Sequence, residues 1–499
     1  MKFASCVAAL AAVCVVNFGQ AGPVAAQTAP QEAAFAEIDP LFEAFMREQN
    51  VPGLVYGVVA DGKLAYVRTL GVQDVETKAP VTADTVFRIA SMSKNFIALA
   101  ALKLRDEGRL SLDAPAERYV PELKALKYPT TDSPKITVRD LLSHAGGFVT
   151  DDPWGDRHLD MAEPDFSRFV AAGVPFSRAP GTAFEYSNFG YALAGRVVSN
   201  ASGTPYADYI GARFLKPLGM ASTTFDIGKV PAGRLARGYR WEDGRWKPEP
   251  ALGPGAFGAM GGLLTSANDY ARYMAWELAA WPPRDGPEDG ILARASIREI
   301  ARPQTYATVQ RRSDPEGCDR AASYGMGTIP YSDCVLGQHF GHSGGLPGYG
   351  SNVLMLPQRG VGVFAFTNRT YAPASVVVRE AATRLVKSGA FPPRETSPSA
   401  AVQAMAETAL RIYAAGDVLA EPDAPAVNFL LDEDAAHRNA KIVPIKEKLG
   451  ACRSELQPVR TDSAMAAILR FPCERGTLEV RFLLAPTTPA SFQALEFRG

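Results

Sequence analysis

The sequence lacks an excess of charge of either sign. It has 499 residues, of which 52 are basic and 53 are acidic, so the formal net charge is −1. A chain this close to neutral has no electrostatic reason to bind nucleic acid, whose phosphates select strongly basic surfaces. Hydrophobic residues make up 47% and charged residues 21%, which excludes collagen-like, disordered and coiled-coil proteins. We therefore expect a globular protein without a nucleic-acid partner.

Residues that bind metals are also scarce. The five histidines show no zinc-type spacing with acidic residues; they are His144, His158, His339, His342 and His437. The pattern Cys-x-x-Cys is absent as well, which argues against a redox motif and a zinc knuckle. We expect no metal and no cofactor.

Only the N-terminus has a long apolar run. After Lys2, an apolar stretch from Ala4 to Val16 leads to small residues that end at Ala26. This order is typical of a secretory signal peptide over residues 1–26, and the run is shorter than the about 20 residues that a membrane span needs. An ordinary buried helix is the alternative. We expect an exported protein, periplasmic or secreted, that has no membrane span.

The cysteines are compatible with export. Outside the signal peptide there are four, Cys318, Cys334, Cys452 and Cys473. Four cysteines in an oxidising compartment allow three pairings. The local scheme pairs Cys318 with Cys334 and Cys452 with Cys473, because it closes the shortest loops and keeps each bridge within one domain. Four free buried thiols are the alternative.

The chain is longer than a domain with a single hydrophobic core usually is, so we expect at least two domains. Residues 27–35 resemble a short mobile lead, and 35–387 read as one unit. A stretch rich in Pro and Ser over 388–400 is typical of a linker. Residues 401–499 follow as a smaller domain.

Strand patterns open and close the large unit. Asp61-Gly62 between the apolar runs 54–59 and 64 onward predicts a hairpin, and a second strand pair is predicted at 353–356 and 361–366. The helices predicted between them lie at Met92–Arg105, Val138–Ser143, Tyr191–Ser199 and Ala267–Leu278. The fold class is therefore α/β (α+β), an antiparallel sheet covered by helices.

The C-terminal domain has its own pattern of helix followed by strands. A helix is predicted over 401–415, ended by Gly416. Apolar and charged residues then alternate along 478–484, which predicts a strand with one buried face. This order predicts a small α+β domain.

A serine and a lysine at helical spacing form the first motif that can support catalysis. Ser91 begins the helix predicted at Met92, and Lys94 lies on the same face, because residues three apart are neighbours. An amine in a partly desolvated site can be the base that a serine hydroxyl needs, if its pKa falls by roughly 3 units. The start of a helix also directs backbone N–H groups at developing negative charge.

Two further motifs carry polar side chains. Tyr186-Ser187-Asn188 precedes a helix, so a phenol and an amide lie together on a loop, although Tyr186 could simply pack at a domain edge. His342-Ser343-Gly344-Gly345 precedes the closing strands, where its backbone can form a sheet edge beside the nucleophile. His144-Ala145-Gly146-Gly147 has the same form, but it ends a predicted helix, so we assign His144 a structural role.

In this order the three motifs resemble the serine β-lactamase and penicillin-binding protein superfamily, of class C type. D-alanyl-D-alanine carboxypeptidases, D-aminopeptidases and esterases share the pattern, which covers most of the 35–387 unit. The resemblance implies a β-lactamase/transpeptidase-like antiparallel sheet flanked by helices, with an all-helical subdomain. The small C-terminal α+β domain lies outside this similarity.

The resemblance also implies roles. Ser91 would be the acylated nucleophile, Lys94 its base partner, and Tyr186 would share proton transfer to the leaving group. The remaining residues would contact substrate, namely Asn188, His342, Ser343, Gly344 and Gly345. The backbone N–H groups of Ser91 and Gly345 would form the oxyanion hole.

These roles imply an exported serine hydrolase that forms an acyl-enzyme on Ser91 and cleaves amide or ester bonds of small molecules or peptides. The substrates would be D-amino-acid peptides or esters. Class C β-lactamases usually have a Lys where this chain has His342, which at its ordinary pKa is mostly neutral at pH 7. A promiscuous esterase or a weak class C-like β-lactamase is therefore the alternative. A non-catalytic exported binding protein that keeps the fold is the alternative from another class.

Overall fold

The computed structural model of the protein describes residues 29–311, 318–394, 397–460 and 463–499. The predicted signal peptide lies outside these residues. The chain divides into two units between Pro392 and Pro393. No helix in the described ranges is both long enough and apolar enough to cross a membrane.

The first unit combines helices with a large sheet. Its helices are α1 Ala29–Glu48, α2 Ser93–Asp106, α3 Val138–Leu142, α4 Glu163–Ala171, α5 Asn188–Ser202, α6 Tyr206–Ile210, α7 Gly258–Gly261, α8 Ala267–Leu278, α9 Arg294–Glu299 and α10 Ala374–Lys387. Its strands are β1 Gly53–Ala60, β2 Lys63–Gly71, β3 Phe87–Arg88, β4 Tyr239–Glu242, β5 Arg245–Pro248, β6 Leu264–Thr265, β7 Thr305–Gln310, β8 Arg320–Tyr324, β9 Ile329–Asp333, β10 Gly337–Leu346, β11 Tyr349–Leu356 and β12 Val361–Thr367.

Eight of these strands form one antiparallel sheet in the order β2-β1-β12-β11-β10-β9-β8-β7. Both predicted hairpins are present, as β1–β2 and β11–β12. They lie side by side because β1 also pairs with β12. The first and the last hairpin of the unit are therefore neighbours in one sheet. The predicted fold class is confirmed.

Helices cover both faces of this sheet. On one face α1 and α10 pack together over β11 and β12, with Phe42 stacked on Tyr56 at 3.7 Å between ring centroids. On the other face lie α8 and the buried helix α2, which contacts α5. Strand β1 is buried along its whole length for this reason.

The expectation of a mobile lead at residues 27–35 is wrong for the part that is described. Helix α1 begins at Ala29 and buries Phe35, Ile38, Phe42 and Phe45. These four residues recur at helical spacing, so their side chains form one apolar stripe. Burial of that stripe under the sheet orders the segment.

The second unit is a small α+β domain, as predicted. Its elements are α11 Ala400–Ala415, α12 Phe429–Asp432, α13 Ala435–Leu449, β13 Gln457–Arg460, β14 Ala466–Cys473, β15 Gly476–Leu484 and β16 Phe492–Arg498. The strands form an antiparallel sheet in chain order, and Gly416 ends α11 in the left-handed conformation. Along β15, Leu478, Val480 and Phe482 are buried, which confirms the predicted alternation.

Both disulfides follow the local pairing scheme. Cys318 bonds to Cys334 in the first unit, and Cys452 bonds to Cys473 in the second. Each bridge therefore lies within one unit, as predicted.

Candidate active site

Ser91 lies in a single 3-10 helical turn, Ala90–Met92, that leads directly into α2. Ala90 before it has a positive φ of 51°, a conformation that residues with a side chain seldom adopt. The hydroxyl of Ser93 stabilises this turn, since it donates to the Ala90 carbonyl and accepts from the Leu263 N–H. The nucleophile is therefore held on a tight, hydrogen-bonded corner.

Lys94 is fully buried beside Ser91. Its Nζ donates to Ser91 Oγ at 2.9 Å, to Asn188 Oδ1 at 2.8 Å and to the Met260 carbonyl at 2.8 Å. Burial lowers the pKa of Lys94 to about 8, although nearby carboxylates, Asp152 foremost, act in the opposite direction. An amine with that pKa is partly neutral near pH 7 and can accept a proton.

Tyr186 lies over the same ammonium, with Lys94 Nζ 4.9 Å from its ring centroid. Its side chain is only partly exposed. Burial raises the pKa of the Tyr186 phenol well above its usual value and the charge of Asp152 adds to this, while a hydrogen bond with Ser91 acts against them. Tyr186 is thus a neutral phenol that touches the nucleophile.

Asn188 is the first residue of α5, and its amide group joins Lys94 to an acidic segment. Its Oδ1 accepts from Lys94, and its Nδ2 donates to Asp152. The preceding carboxylate, Asp151, accepts the backbone N–H groups of Asn188 at 2.6 Å and Phe189 at 2.8 Å. These contacts fix the orientation of the amide, because its oxygen faces a donor and its nitrogen faces an acceptor.

A third carboxylate, Asp156, belongs to the same group and has no signal in the sequence. It accepts a hydrogen bond of 2.8 Å from the Tyr371 hydroxyl, 215 positions away along the chain. Burial and the charge of Asp152 raise the pKa of Asp156 to about 6. Tyr371 in turn lies against Gly345, where an added Cβ would be 2.9 Å from its ring.

The His342 motif lies on β10, which runs past the Ser91 turn. An added Cβ on Gly344 would overlap the Ser351 hydroxyl and the Ile89 carbonyl oxygen, so only glycine allows this approach. Strand β9 pairs with β10 only as far as Gly341. Residues 342–346 therefore keep one edge that no described strand occupies, on which an extended substrate can bind.

His342 itself is buried and uncharged. Its Nδ1 lies 2.6 Å from the Ser343 carbonyl oxygen, so this nitrogen carries the proton and Nε2 accepts from the Tyr324 hydroxyl at 2.9 Å. Burial, and next the charge of Lys94, lower the pKa of His342 to about 3. Both ring nitrogens thus have protein partners, whereas the side chain of Ser343 is exposed.

The structure therefore brings all the predicted residues to one place and adds others. Sequence reasoning missed Ser93, Asp156, Tyr324 and Tyr371, and it assigned His144 a role only at a helix end. His144 instead packs against Tyr186, with 4.2 Å between ring centroids. Among the described residues, no group of three or more His, Cys, Asp or Glu side chains is arranged to hold a metal ion.

Comparison with known proteins shows the family of this chain. The family model described as "Beta-lactamase" matches residues 38–388, well over half of the chain. The chain belongs to the beta-lactamase family. The matched residues include every residue of the site described above, and they end close to the end of the first unit.

Sequence similarity to other proteins is found over part of the chain. "Protein flp" of Staphylococcus aureus (strain MW2) is 29% identical over 349 residues, which is 68% of this chain and 64% of that protein. The chain thus matches slightly less than two thirds of that relative. "Esterase EstB" of Burkholderia gladioli is 32% identical over 300 residues, 53% of this chain and 74% of the esterase.

A solved structure shares the fold. The octameric penicillin-binding protein homologue from Pyrococcus abyssi matches with a TM-score of 0.58 at 22% identity. The match covers 93% of this chain and 95% of that one. Because 93% exceeds the share of the first unit, the similarity in fold reaches into the C-terminal α+β domain.

Proposed function

We propose that the protein is an exported serine hydrolase that forms an acyl-enzyme on Ser91. The observation that carries this proposal is the buried amine of Lys94, which lies 2.9 Å from Ser91 Oγ with its pKa lowered to about 8. Burying a cation costs free energy, which only hydrogen bonds and opposite charges can offset. Here the arrangement supplies the base that a serine hydroxyl needs.

The reaction follows from these contacts. Neutral Lys94 takes the proton of Ser91 Oγ as this oxygen bonds to the substrate carbonyl carbon. The negative charge that forms on the carbonyl oxygen is stabilised by the backbone N–H groups of Ser91 and Gly345. Tyr186 gives its hydroxyl proton to the leaving group as the bond to it breaks, and the Lys94 ammonium restores that proton. After the leaving group has departed, a water molecule bonds to the acyl carbon and gives one proton to neutral Lys94. Lys94 returns that proton to Ser91 Oγ as the bond between this oxygen and the acyl carbon breaks, which releases the acid.

Lys94 is assigned as the first base because Tyr186 is poorly suited to that role. A phenol whose pKa is raised well above its usual value of 10 is protonated at neutral pH, so it has no free site to accept the proton of Ser91. The position at which class C β-lactamases usually carry a second lysine holds the uncharged His342. Lys94 therefore accepts the proton of Ser91, and Tyr186 donates the proton that the leaving group receives.

The substrate class we propose is an ester or amide whose scissile group lacks an adjacent carboxylate. A neutral His342, with both ring nitrogens engaged, offers no charge to hold such a carboxylate. This observation favours ester hydrolysis over β-lactam hydrolysis. The 32% identity to Esterase EstB supports the same candidate.

Amide hydrolysis in D-amino-acid peptides is the second candidate. The carboxylates around Lys94 favour it, because a free substrate ammonium would find opposite charge at Asp152, which is exposed. Export is proposed from the N-terminal apolar pattern, and the two disulfides are compatible with an oxidising compartment.

The test uses residues 27–499 and a fluorophosphonate probe. We expect the probe to add its mass to the peptide that contains Ser91, and we expect S91A to remain unlabelled. A parallel panel of p-nitrophenyl esters, D-amino-acid amides and nitrocefin then ranks the substrate classes. If Ser91 stays unlabelled while a known relative is labelled beside it, the proposal is wrong, and the non-catalytic binding protein becomes the better account.

A further inference from the structure

We infer that His144 is a positioning residue, whose neutral imidazole holds Tyr186 in the place from which it transfers its proton. The inference rests on the proposed function, because that function gives Tyr186 this role. His144 touches neither the nucleophile nor Lys94 by a hydrogen bond. Its effect on the reaction therefore passes through Tyr186.

His144 bonds to the backbone on both sides of Tyr186. Its carbonyl oxygen accepts the Glu185 N–H at 2.9 Å, and its Nδ1 accepts the Ser187 N–H at 3.1 Å. Ser187 is also the residue whose hydroxyl caps α5, where Asn188 begins. One histidine thus fixes the chain immediately before and immediately after the catalytic phenol.

The ring of His144 fills the space beneath that phenol. It packs on Tyr186 at 4.2 Å and on Tyr324 at 4.4 Å between ring centroids. Tyr191 lies 5.1 Å from it on another side. A flat side chain of this size keeps the Tyr186 ring from sinking away from Ser91.

Only one protonation state of His144 allows both contacts. Nδ1 accepts from a backbone N–H, so it carries no proton, and the proton lies on Nε2. Nε2 is buried and has no hydrogen-bond partner among the described residues. Burial holds the pKa of His144 well below its usual value, and the charge of Lys94 adds to this. We call the contacts of His144 with the backbone of Glu185 and Ser187 and with the ring of Tyr186 the clamp. The imidazole of the clamp therefore stays neutral.

A role at a helix end alone does not account for a histidine here. The residue has a positive φ of 55°, which glycine adopts at less cost. Glycine would leave the space among the aromatic rings empty. The two copies of the His-x-Gly-Gly pattern also converge, because His342 bonds to the Tyr324 hydroxyl while His144 packs on the ring of Tyr324.

The experiment separates the two contacts with two variants. His144→Phe keeps a ring and loses the acceptor for Ser187, whereas His144→Asn keeps a side-chain acceptor and tolerates the positive φ. His437→Asn is the control, since that side chain is 74% exposed and lies in the second unit. Thermal unfolding of each variant reports whether it folds.

The decisive readout is how the loss depends on the leaving group. A p-nitrophenolate leaves without a proton, whereas the ethoxide of an ethyl ester of the same acid must be protonated. We expect His144→Phe to lower kcat/KM by about 30-fold for the ethyl ester and by about threefold or less for the aryl ester. His144→Asn should lie between His144→Phe and the parent chain, and His437→Asn should match the parent chain.

Two outcomes would overturn the inference. One is an equal loss of kcat/KM on both esters, since a merely structural defect lowers both alike. The other concerns the double variant His144→Phe/Tyr186→Phe. If His144 acts through Tyr186, the double variant should lose no more kcat/KM than Tyr186→Phe alone, because the residue to be positioned is gone. A loss equal to the product of the two single losses would overturn the inference.

A failure of the proposed function is recognised separately. If Ser91 of the parent chain is never labelled, the hydrolase assignment fails, and hydrogen exchange at the peptide containing Ser187 then decides about the clamp. Faster exchange in His144→Phe than in His144→Asn supports the clamp. Exchange equal to that of the parent chain in both variants overturns it.

Discussion

Replacing Asp152 with Asn should shift the rise of activity with pH downward by about one unit. The proposed base is Lys94 as a neutral amine, so kcat/KM should rise through its pKa of about 8. Among the charges that raise this pKa, Asp152 contributes most. Asparagine removes the charge and keeps an oxygen for the Asn188 amide. The change therefore alters electrostatics with little change of shape.

The size of the shift follows from the geometry. Lys94 Nζ lies 2.8 Å from Asn188 Oδ1, and Asp152 accepts from the other end of that amide, so the two charges are roughly 7 Å apart. At an effective dielectric constant of about 20, their interaction is about 2 kcal/mol, or somewhat under two pH units. Exposure of Asp152 to water reduces this figure. Asp156 also ionises more readily once its neighbour is neutral, which leaves about one unit.

The assay is kcat/KM for an aryl ester from pH 5.5 to 10 at constant ionic strength, with S91A as the blank. Asp165→Asn is the matched control, because Asp165 is exposed and pairs with Arg168 on α4. We expect the midpoint near pH 8 in the parent chain and in the control, and near pH 7 in Asp152→Asn. An unmoved or raised midpoint would refute the assignment of Lys94 as the titrating base.

Two other substitutions test separate parts of the structure. Gly344→Ala places a methyl group against Ser351 and Ile89 and should lower kcat about 100-fold by displacing β10, whereas Gly211→Ala meets no atom within 4 Å and should leave steady-state kinetics unchanged. Glu277 is fully buried and burial raises its pKa to about 7, so the folded state loses about 3 kcal/mol of stability as pH rises from 4.5 through 7. Glu277→Gln should remove that loss in denaturant titrations between pH 5 and 8; a parallel decline in both proteins would contradict the assignment.

Local patterns predicted the fold well where a single segment decides the outcome. The hairpin at Asp61-Gly62 forms because a left-handed turn joins two apolar runs, and Ser266 caps α8 because its hydroxyl reaches the N–H of Asp269. Ser91 and Lys94 meet because residues three apart on a helix are neighbours. In each case the partner lies within a few positions along the chain.

The first helix was missed although its signal is in the sequence. The prediction of a mobile lead covered residues 27–35 alone, most of which are small or polar. The apolar stripe that begins at Phe35 continues through Phe45, so a longer window would have indicated a helix. What orders the segment is its burial against the sheet, which no local pattern contains.

Long-range partners of the site could not be predicted. Asp156 meets Tyr371 and His342 meets Tyr324 because the sheet order brings distant segments together. Neither tyrosine lies in a recognisable pattern. The contact of His144 with Tyr186 could not be predicted for the same reason, since a residue at a helix end and a residue beneath Tyr186 have the same sequence context.

The charges around Lys94 explain how one buried amine serves as the base in the proposed reaction. In the reactive form of the enzyme Lys94 is a neutral amine, and it becomes charged as it takes the proton of Ser91; the carboxylates of Asp151, Asp152 and Asp156 stabilise that charged state. Burial opposes that state, and the balance sets a pKa of about 8. A base of this strength gains stabilisation as the transition state forms, and not before, so the interaction lowers the barrier. A second cation at the position of His342 would weaken the same base, because it would disfavour the ammonium of Lys94.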